Sequence, residues 1–344
     1  KAAAAAKEAI DKIEGSSYYG LYYSDEPDNG YRNYMELFLP SKKWNKEYIF
    51  ARNQGTGYSD NIHQEKCMAA NGMGGWSGLC PTQELVDAYE MANGSTPIIG
   101  YNADGTPIIN GASGYSETGF AATAGKHYPA GVYNMYVGRE PRFYASINFN
   151  GQQWRGRQLE FWQGGKDGIN VSKVDYCCTG YLLRKTADEG VDVINGKGGM
   201  KEASILFRVG SLYLDYAEAL NEAEGPVDDV YKYVDAIRKR AGLPGLAKGL
   251  DKDKMRERIQ HERQIELAFE AGHRYFDCHR WKIAEKTDNG YMHGMNITAT
   301  NKVDYSKRST VGDSRVFEKK HYLFPIPQSE MDKRIGLVQS PYWE

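Results

Sequence analysis

The sequence lacks an excess of charge of either sign. Its 344 residues include 43 Lys and Arg against 45 Asp and Glu, so the formal net charge is -2. A general nucleic-acid binder needs surplus basic charge to replace the counterions along the phosphates, and a polybasic membrane-surface protein needs it as well. We therefore expect neither a nucleic-acid partner nor a polybasic attachment to a membrane.

Long hydrophobic runs are also missing. No apolar run approaches the roughly 20 residues of a transmembrane helix, and no stretch has the pattern of a secretory signal. The chain begins with Lys1 where a translation product has Met. We therefore expect the true N-terminus to lie upstream, and the missing signal indicates nothing about location.

Cysteine is scarce and irregularly placed. There are five cysteines, an odd number, so they cannot all pair within the chain, and no C-x-x-C pair indicates a zinc ribbon. Cys67 and Cys80 flank a glycine-rich loop and could form a disulfide in an exported protein. Five reduced thiols are an equally good alternative. Cys177 and Cys178 are adjacent, but no ligand set accompanies them.

Motifs for catalysis and cofactor binding are incomplete. His261-Glu262 starts as a zincin helix does, but Ile265 stands where the second His would bind the metal. The glycine-rich segment 72–78 matches neither a dinucleotide site nor a phosphate loop, and no serine lies in a G-x-S-x-G elbow. No pair of carboxylates stands out for glycoside hydrolysis. We predict no catalytic residue, no metal site and no cofactor.

Tyrosine is abundant. It makes up 26 of the 344 residues, with six Trp besides. Both side chains combine a flat apolar face with a polar group, and this suits flat, hydroxylated ligands such as sugars. For any single tyrosine, a half-buried position in the core or in a strand remains the favoured alternative.

Composition divides the chain into four segments. Residues 1–15 are Ala-rich and predict the end of an N-terminal helical repeat, stopped at Gly15. Residues 16–200 carry many Asn-Gly turn signals and predict a loop-rich ligand-binding subdomain. Residues 201–287 have helical periodicity and predict two helical hairpins of tetratricopeptide-like length. Residues 288–344 predict a C-terminal tail packed on this scaffold. The fold is thus expected to be mainly α, with short β-strands in the insert.

Several elements are predicted within these segments. Strand 47–52 and helix 81–90 lie in the loop-rich part, where alternation from Phe143 to Phe149 predicts a strand that enters a hairpin at Asn150-Gly151. Apolar spacing predicts helices over 205–220, 230–241, 251–271 and 273–286.

The densest run of charge lies on the third of these predicted helices. Glu262 and Glu266 share a face with Met255 and Ile259, so carboxylates stand on an apolar stripe. Buried carboxylates need partners. The candidate partners are Arg263, Arg274 and Arg280. An anion or acid/base site is one interpretation, but the nearly matched charges and the lack of a nucleophile favour an ion-pair network that fixes helix register.

Five blocks in the second half of the chain form a family pattern. They are 208–221, ending in Ala-Glu-Ala-Leu-Asn; 237–243, Ile-Arg-Lys-Arg-Ala-Gly-Leu; 262–281, with Glu-Arg-x-x-Glu-Leu-x-Phe-Glu and Arg-x-x-Asp-x-x-Arg-Trp; 324–330, with Pro-Ile-Pro-x-x-Glu; and 339–342, Gln-Ser-Pro-Tyr. In order and spacing these blocks resemble the SusD/RagB family. Departures are small: Ala271 replaces the usual Gly, Glu140 an Asp, and Ser340 an Asn.

The resemblance implies a function. Members of this family are lipid-anchored nutrient-binding proteins on the extracellular face of the outer membrane. They capture oligosaccharide or polysaccharide and deliver it to a SusC-like TonB-dependent transporter, and they are not enzymes. Their fold sets tetratricopeptide-like hairpins beside a loop-rich insert, and the anchor would precede this chain. The alternatives are a repeat-type scaffold that binds protein and, less favoured, a glycosidase.

Aromatic residues in Gly- and Asn-rich loops are the candidates for sugar contact, since sugar rings stack on aromatic faces while polar groups bind their hydroxyls. The candidate glycan-binding residues are Trp76, His127, Tyr128, Trp162, Trp154 and Tyr58. Trp76, between glycines, is the first choice. For Trp154, packing against the sheet is the favoured alternative. Trp281 and Trp343 belong to the family blocks and are expected to be structural.

Overall fold

The computed structural model describes residues 1–25, 30–39, 44–53, 58–170, 172, 174–197, 203–270 and 272–343, without the side chains of 53–61 and 203. The helices in these ranges are α1 (Ala2–Glu14), α2 (Gly30–Met35), α3 (Tyr58–Met68), α4 (Gln83–Ala88), α5 (Pro141–Ser146), α6 (Val209–Glu224), α7 (Asp228–Arg240), α8 (Lys252–Glu266), α9 (His273–Arg280), α10 (Ala284–Thr287), α11 (Lys302–Tyr305) and α12 (Gln328–Met331). The strands are β1 (Tyr48–Asn53), β2 (Ile98–Tyr101), β3 (Pro107–Ile109), β4 (Ile147–Phe149), β5 (Gln153–Trp154), β6 (Arg157–Gln158), β7 (Tyr181–Leu183), β8 (Ala203–Arg208), β9 (Gly290–Met295) and β10 (Arg308–Arg315). The prediction of a mainly α fold with short strands is confirmed.

The helical scaffold consists of α1, α6, α7 and α8. Helix α6 packs against the other three, and α7 also contacts α8. The stripe of α7 that the sequence predicted is fully buried at Val230, Val234 and Ile237. Ile10 and Ile13 of α1 join the same apolar cluster. Helices of this length are only marginally stable alone in water. Burial of their amphipathic faces against one another therefore stabilises them.

The prediction that a helix begins at residue 205 is wrong. Residues 203–208 form β8, which pairs antiparallel with β1 and places Ile205 opposite Ala51. Helix α6 starts only at Val209, after Arg208 in an extended conformation. β-Branched and aromatic residues favour a strand when a partner strand is present, and that partner lies some 150 residues upstream.

The last two predicted helices are shorter than expected. Helix α8 ends at Glu266, and Phe269 beyond it has a φ of 63°. The predicted fourth helix is divided into α9 and α10 at Lys282, which has a φ of 59°. A positive φ cannot continue a right-handed helix, so the predicted helices cannot run through Phe269 or Lys282.

The loop-rich part has its own aromatic core. The rings of Tyr136, Phe143 and Phe149 pack together, with 4.4 Å between the centroids of Tyr136 and Phe149. The strand predicted from Phe143 is wrong in its first half, because Pro141 begins the short helix α5. Strand β4 follows and pairs with β7.

The hairpin in this region lies further along than predicted. Strands β5 and β6 pair across Arg155-Gly156, where both φ angles are positive, as a tight two-residue turn requires. Asn150-Gly151 forms a separate turn before them. The strand predicted at 47–52 is confirmed as β1, and the helix predicted at 81–90 is confirmed in part as α4.

The cysteines form no disulfide. All five cysteines are free, and the Sγ of Cys80 lies 3.9 Å from the Sγ of Cys177. The suggested pairing of Cys67 with Cys80 is therefore absent.

Trp343 donates its indole hydrogen to the carbonyl oxygen of Lys320 at 2.8 Å, which ties down the tail. In the part of the chain that the structure describes, every helix is too short or too polar to cross a bilayer.

Candidate functional site

A buried ion-pair cluster joins the helical scaffold to the loop-rich part. Its carboxylates are Glu47, Glu90, Glu140, Glu262, Glu266 and Glu270, and its cations are Arg142, Lys185, Arg208, Arg238 and Arg240. Glu266 is fully buried and accepts hydrogen bonds from Arg208 at 2.9 Å, from Arg142 at 3.0 Å and from Arg240. Burial raises the pKa of the Glu266 carboxyl, but the three guanidinium groups outweigh it and hold that pKa well below its ordinary value.

The cluster contains the predicted carboxylates but not the predicted partners. Glu262 binds Arg142 and, at 3.1 Å, Arg238. Arg263 instead binds Asp277 at 2.9 Å, and the predicted partners Arg274 and Arg280 are absent from the cluster. The choice failed because Arg263 and Arg280 form ion pairs with other acids, namely Asp215, Glu218 and Asp277. Because the carboxylates of this cluster are paired with cations of the protein itself, we assign the cluster a structural role.

A separate pocket opens in the loop-rich part. It has a volume of about 310 Å³. The residues that line it are Tyr31, Gly125, Lys126, His127, Tyr128, Pro129, Gln152, Gln153 and Arg184. Two of the predicted glycan-binding residues, His127 and Tyr128, thus lie together in one wall.

The aromatic wall is built from α2 and the loop 125–131. The His127 ring stacks on Tyr31 with 4.9 Å between centroids and lies 5.2 Å from the ring of Tyr144. Tyr128 is roughly parallel to Tyr144, at 6.2 Å. Its ring folds back over Gly125, where a Cβ would lie only 2.3 Å from the Tyr128 Cζ. Glycine is therefore required at 125 for the ring to take this position.

Helix α2 is fixed in place by its first residue. A Cβ on Gly30 would lie 2.2 Å from the carbonyl oxygen of Ala241, so the backbone of α2 can approach the end of α7 only through a glycine. Tyr31 follows directly and presents its ring to the pocket. The helical scaffold thereby positions one side of the aromatic wall.

A polar wall adjoins the aromatic wall and depends on Arg184, which follows β7. Its guanidinium lies over Trp154 at 4.6 Å and over Tyr31 at 5.3 Å. Nη1 donates to the Tyr144 carbonyl oxygen at 2.9 Å, and Nη2 donates to the Tyr31 hydroxyl. Stacking and hydrogen bonding together hold this cation at the edge of the aromatic wall.

The charge of His127 is set by its surroundings. Burial, with help from the positive charges of Lys126 and Arg184, lowers the pKa of His127 to about 4. The ring is therefore neutral near pH 7 and serves the pocket as an aromatic surface.

The other predicted site residues lie apart from this pocket. Trp76 is 38% exposed and stacks on His63 with 5.4 Å between ring centroids. Trp162 is half-buried, with Lys302 Nζ 5.4 Å above its ring. The Tyr58 side chain falls outside the described residues. The prediction that Trp154 binds glycan has to be corrected. Its side chain is only 2% exposed, so neither ring face is open to a sugar, and the ring instead packs against the guanidinium of Arg184.

Only His127 and Tyr128 of the nine lining residues were predicted from sequence, and three of the missed residues show why: Tyr31, Gln152 and Arg184. Tyr31 and Arg184 are 153 residues apart in the chain and meet only through the fold. Gln152 follows the Asn150-Gly151 turn and is 2% exposed. None of the three lies in a local pattern that would have identified it.

One protein-family model and several known proteins are similar to this chain. The model of the SusD family matches residues 40–343. SusD-like protein P25 of Formosa agariphila is 42% identical over 82 residues, which are 23% of this chain and 15% of that protein. A solved SusD-like protein from Bacteroides fragilis has a TM-score of 0.71 and 27% identity, covering 98% of this chain and 61% of its own. A SusD-like carbohydrate binding protein from the same species has a TM-score of 0.69 and 23% identity, covering 96% and 59%. The chain therefore spans less than two thirds of each of these relatives.

Proposed function

Because the chain belongs to the SusD family, we propose that it binds oligosaccharide or polysaccharide and that the pocket around Tyr128 is part of the binding surface. The observation that carries this proposal is the composition of the pocket. Tyr31, His127 and Tyr128 supply ring faces on which the C–H face of a sugar stacks. Gln153 and Arg184 supply hydrogen-bond donors at the rim for sugar hydroxyls.

A relative of the same fold supports this assignment. The solved Bacteroides fragilis protein described as SusD-like and carbohydrate binding superposes over 96% of this chain. At 23% identity the likeness concerns the fold, so the assignment of the pocket rests on its own residues. Trp76 and Trp162 remain proposed as separate contact points for a longer glycan, and residues 16–200 as the ligand-binding subdomain.

Binding without hydrolysis fits the pocket better than glycosidase activity does. Glycoside hydrolysis uses two carboxyl groups on either side of the scissile bond. The nine lining residues include neither Asp nor Glu. We expect pure protein to release no reducing ends from any polysaccharide it binds, whereas release that depends on this pocket would favour the enzyme.

The cellular role follows from the family. We propose that the protein is lipid-anchored at the outer face of the outer membrane and delivers captured glycan to a SusC-like TonB-dependent transporter. Co-purification of the full-length protein with that transporter from detergent-solubilised outer membranes would support this role. A full-length protein that purifies alone, and whose deletion leaves glycan uptake unchanged, would contradict it.

Affinity electrophoresis tests the binding proposal. The protein is run through native gels that contain one polysaccharide each, together with Tyr128→Ala and the control Tyr18→Ala. Tyr18 is 60% exposed and lies outside the pocket. We expect at least one polysaccharide to retard the wild type and the control but not Tyr128→Ala. Equal retardation of all three proteins would show that binding does not use this pocket, and no retardation by any polysaccharide would refute the proposal.

A further inference from the structure

The pocket around Tyr128 has an unbalanced charge. The lining residues that the structure describes include the cations Lys126 and Arg184 and no acidic side chain. His127 in the same wall is neutral near pH 7, so the two cations alone set the charge. Neutral sugars offer no charge to compensate them, whereas a sugar that carries an anionic group does.

Arg184 has no counter-ion among the residues that the structure describes. Its two described side-chain hydrogen bonds go to a backbone carbonyl and to a tyrosine hydroxyl, and both acceptors are uncharged. No described carboxylate forms an ion pair with it, and its buried Nε has no acceptor. The arginines of the ion-pair cluster differ, since Arg142 and Arg208 each bind three carboxylates. A half-buried guanidinium without a carboxylate favours an anion at this position.

Gln152 is a second donor without an acceptor. Its Oε1 accepts a hydrogen bond from the Phe149 amide at 3.3 Å, which fixes the orientation of the side-chain amide. Its Nε2 has no acceptor in the described chain, although the residue is 98% buried. The polar wall is thus short of acceptors. Carboxylate and sulfate groups supply acceptors only.

From these observations we infer that the pocket selects acidic carbohydrate: a sugar residue with a carboxylate or a sulfate ester, bound against Arg184 and Lys126. This inference rests on the proposed function, because it names the class of sugar for the same pocket. The aromatic wall takes the sugar ring, and the polar wall takes its anionic substituent.

The test compares anionic polysaccharides with neutral counterparts. The anionic probes are polygalacturonate, alginate, chondroitin sulfate and carrageenan. Fully methyl-esterified polygalacturonate keeps the sugar backbone but lacks the charge, and chemically desulfated carrageenan is the neutral counterpart of carrageenan. We expect at least one anionic probe to bind about tenfold more tightly than its neutral counterpart, as one charge-assisted hydrogen bond would give. Polygalacturonate and alginate carry only carboxylates and carrageenan carries only sulfate esters, so comparing their binding distinguishes the two sources of charge, whereas chondroitin sulfate carries both.

Two variants locate the interaction. Arg184→Met should weaken anionic binding about tenfold. Because Arg184 also supports the wall, Lys126→Gln at an exposed position is the safer variant, with an expected loss of about two- to fivefold. The control is Lys248→Gln, which removes the same charge from an exposed residue outside the pocket. Loss in Lys126→Gln but not in Lys248→Gln supports the inference, and equal loss in both overturns it.

The outcomes also separate the inference from the proposed function. If a neutral polysaccharide binds as tightly as every anionic probe, and Tyr128→Ala abolishes that binding, the pocket is a carbohydrate site without charge selection. If none of the four anionic probes binds while a neutral one does, the inference is likewise wrong and the function stands. If no polysaccharide binds at all, both are wrong.

Discussion

Replacing Glu266 with Gln should destabilise the protein strongly. Glu266 is fully buried and receives hydrogen bonds from Arg142, Arg208 and Arg240. Glutamine has nearly the same volume, so packing is preserved. It removes the negative charge, however, and directs an amide donor at groups that only donate. Three guanidinium groups are then left with less compensating charge in a site without water contact.

The size of the effect follows from the burial of the site. Removing one partner of a buried ion pair typically costs about 3 to 5 kcal/mol, and Glu266 has three partners, so we expect a value near the upper end. That is a large part of the about 5 to 15 kcal/mol by which a domain is stable. Urea unfolding followed by circular dichroism should show the midpoint falling by more than about 1 M.

A matched control distinguishes burial from charge as such. Glu222 pairs with Arg256 at the surface, where both side chains are more than a third exposed. Glu222→Gln should therefore change the free energy of unfolding by less than about 1 kcal/mol. If Glu266→Gln shifts the urea midpoint no further than Glu222→Gln does, the buried cluster does not hold the scaffold and the reasoning is refuted.

The pH dependence gives an independent check on the same residue. The pKa of Glu266 is lower in the folded protein than in the unfolded chain. Its contribution to stability is therefore fully present above the unfolded value and is lost as the pH falls through the folded value. The difference between wild type and Glu266→Gln should be constant from neutral pH down to about pH 5 and shrink below it.

Three further predictions concern the pocket and the loop that carries Trp76. The pKa of His127 is lowered from 6.5 to about 4, so between these values the unfolded chain binds a proton that the folded protein does not, and stability should fall as the pH falls through this window. His127→Phe should flatten that part of the pH profile in urea titrations, and an unchanged slope would contradict the assignment. Gly125→Ala should displace the Tyr128 ring and reduce retardation by glycan, whereas Gly111→Ala, where a Cβ meets nothing within 4 Å, should not; equal retardation of both variants would count against the pocket. Trp76→Ala should weaken glycan binding with little change in Tm, and a large fall in Tm with unchanged binding would show a structural role.

Helices with a complete apolar stripe were predictable from sequence. The spacing of Val230, Val234 and Ile237 defines α7 without knowledge of its neighbours, because the period of the pattern is itself the signal. Strand β8 was not predictable in the same way. Ile205 also fits a helical spacing, and its strand conformation depends on β1, which lies far upstream. Local patterns therefore fail where a distant strand provides the hydrogen bonds.

The candidate site was predictable only in part, for a similar reason. His127 and Tyr128 stand in a loop with Gly125 and Pro129, where no periodic element could bury them, and this local signal found them. Trp154 has the same chemistry but lies on β5 within the apolar core, and its burial depends on packing that the sequence does not display. Arg184 gave no signal at all, because its role depends on rings contributed from elsewhere in the chain.

Arginine shows most clearly how structure separates scaffold from site. In sequence, Arg208 and Arg184 each directly follow a short apolar segment and look alike. In the structure, Arg208 and Arg240 each bind at least two carboxylates, so their charge is compensated within the protein. Arg184 binds only neutral acceptors among the described residues and lines an open pocket. Arg139 is also buried with only carbonyl oxygens as acceptors among the described residues, but it lies outside the pocket and has a structural role. We infer a ligand for Arg184 because its uncompensated charge stands in the lining of the pocket, where an anion can reach it.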